Sequence, residues 1–546
     1  MRVDLVLCNA NVITMDDDLP RASTLAVLGE HIVDVGDGDG LDAVRRIDLG
    51  GLTVVPGFND AHNHMRPFGE TLGQVQLSSP PVNTIADVVD AVARRVDEME
   101  PGAWVVGSNY DHNKLAEGRH PTCHDIDPIS PDNPVVLNHT SGHFCVVNTR
   151  AMQLARIGDV AVPEGGVVAT DTEGQPTGLL EERAQQLVRH LLLPHPVEAM
   201  VDHLAAASRR YLSEGVTSAQ EAGVGSLLGS PNPNELAAWQ EARRRGVLRT
   251  RVTLMISAEA LHHIDRHIDD PAGTSLDLGL HSGFGDDWLR IGPTKVFADG
   301  SLMGRTAAMF DDFAGEPGNA GYFQMDPDRL RAVIIDAHLA GWQVATHAIG
   351  DRAVATTLDI YEEALRLAPR ADHRHRIEHC GVCRPGDVDR IAAMGVIPTP
   401  QARFISEIGD GMMDALGPDR VANCYRQRSF VEAGIVLAGS SDRPVVNGAP
   451  LLGIHDLVNQ RTAEGRDFNP HEALEPEQAL RAYTLGSAYA AFDEHRKGSL
   501  TPRKLADVVV LDQDPTTVDR DGIADTRVVA TMIGGQFAHD PQGLGG

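Results

Sequence analysis

The sequence predicts an α/β fold: a (β/α)8 barrel of the TIM type that carries an inserted subdomain and a small β-sandwich made by both chain ends. Three observations support this prediction. Eight short β-like runs alternate with helical stretches, about 150 residues separate the first two runs, and both ends of the chain are rich in β-like sequence.

The eight runs are the predicted barrel strands. They begin at Thr53, Gly215, Thr250, Arg290, Gln343, His375, Gly395 and Gly434. Several follow stretches in which apolar residues recur at helical spacing before a glycine, as at 235–246, 328–341 and 385–395. Strands that alternate with helices are typical of a parallel barrel, which we expect at residues 57–495.

The stretch between the first two runs is far longer than one barrel connection requires. It contains β-like runs from Ala103 and Pro134 and then a helical stretch, so we expect an inserted subdomain at residues 65–214. The two chain ends, 1–56 and 496–546, hold short strands too few for separate sheets. We expect them to form one composite β-sandwich.

Composition and charge narrow the functional classes. The chain has 546 residues and a formal charge of −30, which argues against a nucleic acid or an anionic membrane as partner. No apolar stretch approaches the ~18 residues of a membrane span, and the alternating N-terminus predicts a strand rather than an export signal. The six scattered cysteines are expected to be free thiols. We expect a cytoplasmic protein that acts on a small molecule, with a homodimer left open.

The stretch "VVPGFNDAHNH", from Val54 to His64, carries the first chemical signal. Side chains two residues apart on a strand share a face, so His62 and His64 would project together. Two imidazoles on one face can hold a metal ion, although a pair of solvated loop histidines is the alternative.

The ends of the predicted strands extend this signal. Barrel enzymes build their sites at the carboxyl ends of the strands, where residues distant in sequence converge. The residues at these ends that can bind a metal, or become able to, are His62, His64, Lys295, His347, His379 and Asp442.

Each of these residues also has a purely structural interpretation. His347 and His379 could be hydrogen-bonded core histidines, Lys295 could pair with Asp299, and Asp442 could cap a turn or a helix. Without a metal site, six residues of these types would have to occur at strand ends by coincidence. The sequence therefore favours a metal site.

Several motifs resemble those of the amidohydrolase superfamily, and within it the YtcJ-like amidohydrolase 3 group that includes N-substituted formamide deformylase. They are "PGFNDAHNH", "GHFCVVNTRAM", "GVTSAQEAG", "KVFADGSLMGRTAAM", "THAIGDRAV", "RIEHC", "GSSDRPV" and "GSLTPRKLADVVVLDQDP". These stretches span nearly the whole chain. The H-x-H strand and the closing "KLADVVVLD" segment are typical of the superfamily, whereas "KVFADGSL" and "HAIGDRAV" indicate this group.

The resemblance implies a metal-dependent hydrolase with one or two Zn²⁺ ions, another divalent transition metal being the alternative. The implied metal-site residues are His62, His64, His347, His379 and Asp442. Lys295 matches a position that in many relatives is a carboxylated lysine bridging two metals.

The expected chemistry follows from these ligands. Zn²⁺ lowers the pKa of a bound water to about 7 and polarises the scissile carbonyl, and Asp442 can accept the water proton and return it to the departing nitrogen. We expect cleavage of a non-peptide C–N bond, such as the amide of an N-substituted formamide. The alternatives are hydrolysis of a cyclic amide, a lactone or ester, deamination of a heterocycle, or a non-catalytic homologue that acts as a binding protein.

Two further residues are candidates for substrate binding. His143, in the insertion, could reach over the rim of the barrel, and Arg305, after the fourth strand, could orient a carbonyl or a carboxylate. A plain surface or packing role is the alternative for each.

Overall fold

The structure is a computed structural model that describes residues 2–38, 40–139, 144–163, 165–225, 232, 234–265, 267–269 and 273–545. The described residues fall into two compact units. The smaller, inserted unit comprises Gly69–His203 and Asn232, and the larger unit comprises the rest. The sequence predicts an insertion at residues 65–214, which begins four residues before this unit and ends eleven residues after His203.

The larger unit contains a nearly closed parallel barrel. Its strands 1 to 7 are Phe58–Asn63, Val216–Val224, Arg251–Ser257, Leu289–Phe297, Val344–Ala348, Arg376–His379 and Ile397–Thr399. Each pairs in parallel with the next along the chain. The chain order and the parallel pairing confirm the predicted α/β fold of the (β/α)8 type.

The eighth predicted strand is the main difference from expectation. The run from Gly434 forms no regular strand among the described residues, and its ladder to barrel strand 7 is a single parallel bridge between Gln401 and Ser440. On its other side, the N–H of Asp442 donates to the carbonyl of His62 at 2.7 Å. The segment therefore closes the ring between strands 7 and 1 without the full ladder of a strand.

The packing around Gly439 explains this irregularity. The N–H of Gly439 donates to the carbonyl of Ala482 at 3.0 Å instead of to a barrel neighbour. A Cβ at this position would lie 2.7 Å from the ring of Tyr483, so the aromatic ring requires a glycine. The backbone at Gly439 therefore bonds to a helical segment as well as lying in the barrel wall. Periodicity in the sequence does not predict this bond.

The first predicted run is divided between two sheets. Thr53–Pro56 pairs with Val508–Leu511 in the sandwich, and the barrel strand begins only at Phe58. Between them lies Gly57, where a Cβ would lie 2.1 Å from the hydroxyl of Thr217. This close approach lets the chain pass from one sheet to the other.

Helices surround the barrel and continue into the inserted unit. The α-helices are Met65–Leu72, Ile85–Asp97, Cys123–Ile126, Thr149–Leu154, Gln186–Leu192, Val197–Ser213, Glu235–Arg244, Pro327–Leu339, Asp351–Leu367, Pro385–Met394, Arg403–Leu416, Pro418–Val421, Gln427–Glu432, Pro450–Asn459, Pro476–Arg481 and Ser487–Ala490. The helices predicted at 235–246, 328–341 and 385–395 are among them. Within the described residues, no helix combines the length and the apolar character that crossing a membrane requires.

Strands from both chain ends form two further sheets in the larger unit. In spatial order, one consists of His31–Gly36, Thr24–Leu28, Arg2–Cys8 and Asp42–Asp48, and the other of Gln536–His539, Val528–Ile533, Val508–Leu511, Thr53–Pro56, Asn11–Ile13 and Arg21–Ala22. Buried aliphatic residues from the two sheets, including Leu7 and Val508, share one apolar core. This core joins residues more than 490 positions apart in sequence.

The inserted unit is built on its own six-stranded sheet. In spatial order its strands are Gly166–Thr170, Pro176–Glu182, Phe144–Val147, Val135–His139, Val105–Tyr110 and Val75–Gln76. The helix Ile85–Asp97 begins with a capping box formed by Thr84 and Asp87 and contributes Val88 and Val92 to the core beneath the sheet. A two-stranded ribbon, His262–His263 with Thr274–Ser275, belongs to the larger unit.

A buried ion pair connects the barrel with the terminal sheets. Arg251, in barrel strand 3, donates from Nε and Nη2 to the two carboxylate oxygens of Asp507 at 2.7 and 3.0 Å. The same carboxylate accepts the N–H of Gly534 at 2.9 Å. Both charges are almost fully buried, and Asp507 is the closer of two carboxylates that compensate Arg251, since Glu30 lies 4.0 Å from its Nη2.

Asp507→Asn is expected to lower the free energy of unfolding by about 3 kcal/mol, because it removes the buried carboxylate that bonds the guanidinium of Arg251 and leaves the more distant, half-exposed Glu30 as its counter-charge. Urea denaturation and melting temperature measure this loss. The matched control is Asp512→Asn, since Asp512 pairs with the largely exposed Arg527, and its expected cost is about 1 kcal/mol or less. Equal losses in the two variants would contradict the assignment.

Candidate metal centre

The H-x-H pair of the first barrel strand meets a carboxylate from the opposite end of the chain. The Oδ1 atom of Asp442 lies 3.0 Å from Nε2 of His64 and 3.4 Å from Nε2 of His62. The three potential ligand atoms all lie within 4.8 Å of one another. Two imidazole nitrogens and one carboxylate oxygen form a donor set that suits a divalent transition metal such as zinc.

The other three predicted residues lie beside this group. The ring of His379 is 5.0 Å from the ring of His62, and the ring of His347 is 4.4 Å from that of His379. The Nζ atom of Lys295 lies 3.4 Å from Nε2 of His62. The structure therefore brings all six candidate metal-site residues together at one end of the barrel.

Hydrogen bonds on the outer nitrogen of each ring orient these imidazoles. Nδ1 of His62 contacts the carboxylate of Glu378, and Nδ1 of His379 donates to Oε1 of Gln401 at 2.6 Å. His347 instead donates from Nε2 to the carbonyl of Gly300 at 2.9 Å. Since a neutral imidazole carries one N–H, each bond leaves the other ring nitrogen as an electron-pair donor.

A buried ion pair holds the partner of His62 in place. The carboxylate of Glu378 accepts hydrogen bonds from Nε and Nη2 of Arg376 at 2.7 and 2.9 Å. Both side chains are fully inaccessible to solvent. The same guanidinium donates to the carbonyl of Ala61 at 2.7 Å and to the amide oxygen of Gln220. The carboxylate that orients His62 is thus fixed from several sides.

The backbone at the end of barrel strand 6 departs from the extended conformation. His379 has φ of +69°, in the left-handed region that non-glycine residues seldom adopt. As a result its ring and the side chain of Glu378, neighbours in sequence, both contact His62. Alternation along a strand would send them to opposite faces, so the strained backbone is part of the site.

Asp60 ties the first strand to the segment that carries Asp442. Its carboxylate accepts the N–H of Ser441 at 3.0 Å, the hydroxyl of Ser441 at 2.5 Å and the N–H of His62 at 3.2 Å. Burial raises the pKa of Asp60 to about 6, and these hydrogen bonds oppose the shift. The bonds replace much of the ladder that a regular eighth strand would have provided.

Charges within the site shift the pKa values of its members. Burial alone would raise the pKa of Asp442, but the hydrogen bond from His64 and the charges of His62 and His379 outweigh it, and the net shift is downward. Burial alone would lower the pKa of His64, but Asp442 and Glu221 raise it overall. Burial lowers the pKa of His379 to about 3 and that of His62 well below its usual value.

Lys295 does not pair with Asp299, which was the structural alternative for this lysine. Its Nζ atom lies beside His62 and 5.0 Å from the centre of the Phe297 ring. Burial lowers the pKa of Lys295 to about 8. Asp299 instead accepts three backbone N–H groups, from residues 308, 349 and 350, at 2.8 to 2.9 Å.

Arg305, one of the two predicted substrate-binding residues, is not part of this group. Arg305 pairs with Glu316 at 2.5 Å in the loop after barrel strand 4, and its role in substrate binding stays a prediction. His143 lies outside the described residues. The sequence does not predict the roles of Glu378 and Gln401, which bind the outer sides of the His62 and His379 rings. The "RIEHC" motif contains Glu378 but does not indicate where its side chain points.

Comparison with known proteins gives the family. The sequence model described as "Amidohydrolase family" matches residues 45–539, nearly the whole chain. The chain belongs to the amidohydrolase family. The predicted resemblance is thereby confirmed, and this amidohydrolase is an enzyme of the hydrolase class.

Individual relatives cover the amidohydrolase almost completely. It is 30% identical to Protein LONG AFTER FAR-RED 3 of Arabidopsis thaliana, over 98% of this chain and 91% of that protein. It is 29% identical to the putative amidohydrolase YtcJ of Bacillus subtilis (strain 168), over 92% of each chain. It is 28% identical to N-substituted formamide deformylase of Arthrobacter pascens, over 99% of each chain.

A solved structure has a similar fold. An uncharacterized metal-dependent hydrolase from Pyrococcus horikoshii OT3 is 25% identical to the amidohydrolase and superposes with a TM-score of 0.76. The match covers 94% of this chain and 99% of that chain. The similarity of fold therefore extends over nearly the whole of both chains.

The raised pKa of His64 gives a testable pH dependence of metal binding. A proton on His64 competes with a metal ion, so the affinity for Zn²⁺ should rise about tenfold per pH unit below that pKa, through release of one proton. Competition titration with a chromophoric chelator between about pH 6 and 8 measures the slope. In His64→Ala this proton is absent, and the slope should fall. Equal slopes in the two proteins would contradict the assignment.

Proposed function

We propose that this amidohydrolase is a zinc-dependent enzyme that hydrolyses a non-peptide C–N bond in a small molecule. The observation that carries the proposal is the convergence of His62, His64 and Asp442, with ligand atoms within 4.8 Å of one another. The name of the 28% identical relative supports an N-substituted formamide as the first substrate class to test. The cytoplasmic location and the homodimer stay predictions.

The residues of the centre suit one or two zinc ions. His62, His64 and Asp442 would hold a first ion, and His347 and His379, with Lys295 between the two groups, would complete the site. A bound ion supplies a Lewis acid that polarises the scissile carbonyl and lowers the pKa of water. The rings of His62 and His379 are suited to this role, because hydrogen bonds to Glu378 and Gln401 leave their inner nitrogens unprotonated.

Asp442 has the position and the charge of a general base. Its lowered pKa keeps the carboxylate ionised at neutral pH, and it lies at the meeting point of His62 and His64. It can therefore accept a proton as water attacks the carbonyl carbon. The same group can pass that proton to the departing nitrogen, which then leaves as a neutral amine.

A substrate screen on zinc-replete protein tests the reaction class. N-substituted formamides are the first panel, and acyl amino acids, cyclic amides, lactones and amino-substituted heterocycles are the comparison panels. Turnover of formamides above the other panels supports the proposal. Turnover confined to lactones or heterocycles would assign the site to one of those reactions, and no turnover on any panel would contradict an amide hydrolase.

Asp442→Asn is expected to retain much of its metal and to lose kcat by about 10² to 10⁴, because the amide keeps a ligating oxygen but has no useful basicity. Metal content, melting temperature and kcat are measured on the same preparation. The control is Asp359→Asn, an exposed carboxylate that pairs with Arg390 on the surface, and it should retain normal kcat. If Asp442→Asn kept kcat within a few-fold of the unmodified enzyme, Asp442 would only cap the following turn.

A further inference from the structure

A second group of imidazoles lies in the inserted unit, at the carboxyl ends of two strands. The strands Val105–Tyr110 and Val135–His139 are parallel neighbours. Asp111 and His112 directly follow the first strand, and His139 ends the second. His139 is buried, while Asp111 and His112 are half-buried. Three metal-ligand side chains therefore meet at one edge of the sheet.

The spacing of their polar atoms matches that of ligands around one ion. Nδ1 of His112 lies 3.1 Å from Nε2 of His139, and Oδ1 of Asp111 lies 3.7 Å from the same nitrogen. The three atoms are all within 4.8 Å of one another. Ligand atoms bound to a tetrahedral zinc ion at its usual bond lengths are about 3.3 Å apart.

Neighbouring side chains hold the group in this arrangement. The ring of His120 stacks on that of His112 with 3.9 Å between centroids, and its Nδ1 bonds to the hydroxyl of Tyr110 at 2.9 Å. Oδ1 of Asp111 accepts the N–H of Asn113 at 3.0 Å. Supporting contacts of this kind orient the ligands of known metal sites.

We infer that the inserted unit binds one divalent first-row transition ion through Nδ1 of His112, Nε2 of His139 and the carboxylate of Asp111. Two nitrogens and one oxygen select zinc, cobalt or nickel over magnesium or calcium. Three protein ligands leave a coordination position for water or a small molecule. In the metal-free protein one imidazole donates a hydrogen bond to the other, so the cluster is satisfied in both states.

The test counts the Zn²⁺ ions bound per chain, by elemental analysis after equilibrium dialysis and by calorimetric titration. His112→Ala should bind one ion fewer than the unmodified protein. Asp111→Asn should lower the affinity for that ion by about tenfold or more, while the amide oxygen of the asparagine can still accept the N–H of Asn113. The control is His190→Ala, an exposed histidine of the same unit, which should bind the full number.

A combined variant separates this site from the barrel centre. In a His62→Ala, His64→Ala background, addition of His112→Ala should remove one further ion per chain. If His112→Ala does not fold, as judged by circular dichroism, the weakened ion in Asp111→Asn decides the question. An unchanged ion count and affinity in the folded variants, or an equal loss in His190→Ala, would make the cluster a packing arrangement only.

Discussion

Glu378 lies inside the barrel between Arg376 and His62, and the orientation of the candidate metal centre depends on it. Both charges are fully buried, so removal of either would leave the other uncompensated, at a cost of about 3–5 kcal/mol. Because the carboxylate engages Nδ1 of His62, the lone pair of that ring is on Nε2, which faces Asp442 and Lys295. A structural ion pair thus also sets the tautomer of a candidate metal-site histidine.

A small set of hydrogen bonds closes the barrel in place of a regular eighth strand. Asp60 receives two bonds from Ser441, and the N–H of Asp442 donates to the carbonyl of His62. The residues before Asp442 can therefore pack against a neighbouring helical segment while Asp442 remains beside the first strand. Asp442, the proposed general base, itself has φ of +58°, which turns its side chain out of an extended path.

Much of this arrangement can be predicted from the sequence, and there is a physical reason why the rest cannot. The period of two in the first strand predicts that His62 and His64 share a face, and convergence at strand ends brings in residues as distant as Asp442. The contact of Glu378 with His62 is not predicted, because alternation along a strand would place Glu378 and His379 on opposite faces. Only the left-handed backbone at His379 brings both side chains to the ring of His62. The proposed ligands of the inserted unit are not predicted, because the pairing of its two strands joins His112 to His139 and no local pattern predicts that pairing.

Through these contacts the candidate metal centre depends on the orientation of His62. The most direct measurement is an anomalous difference map from crystals of the zinc-replete protein, recorded at the zinc absorption edge. We expect a peak about 2.0–2.2 Å from Nε2 of His62, Nε2 of His64 and a carboxylate oxygen of Asp442. A peak bonded to Nδ1 of His62, or no peak within bonding distance of His62 and His64, would contradict this expectation.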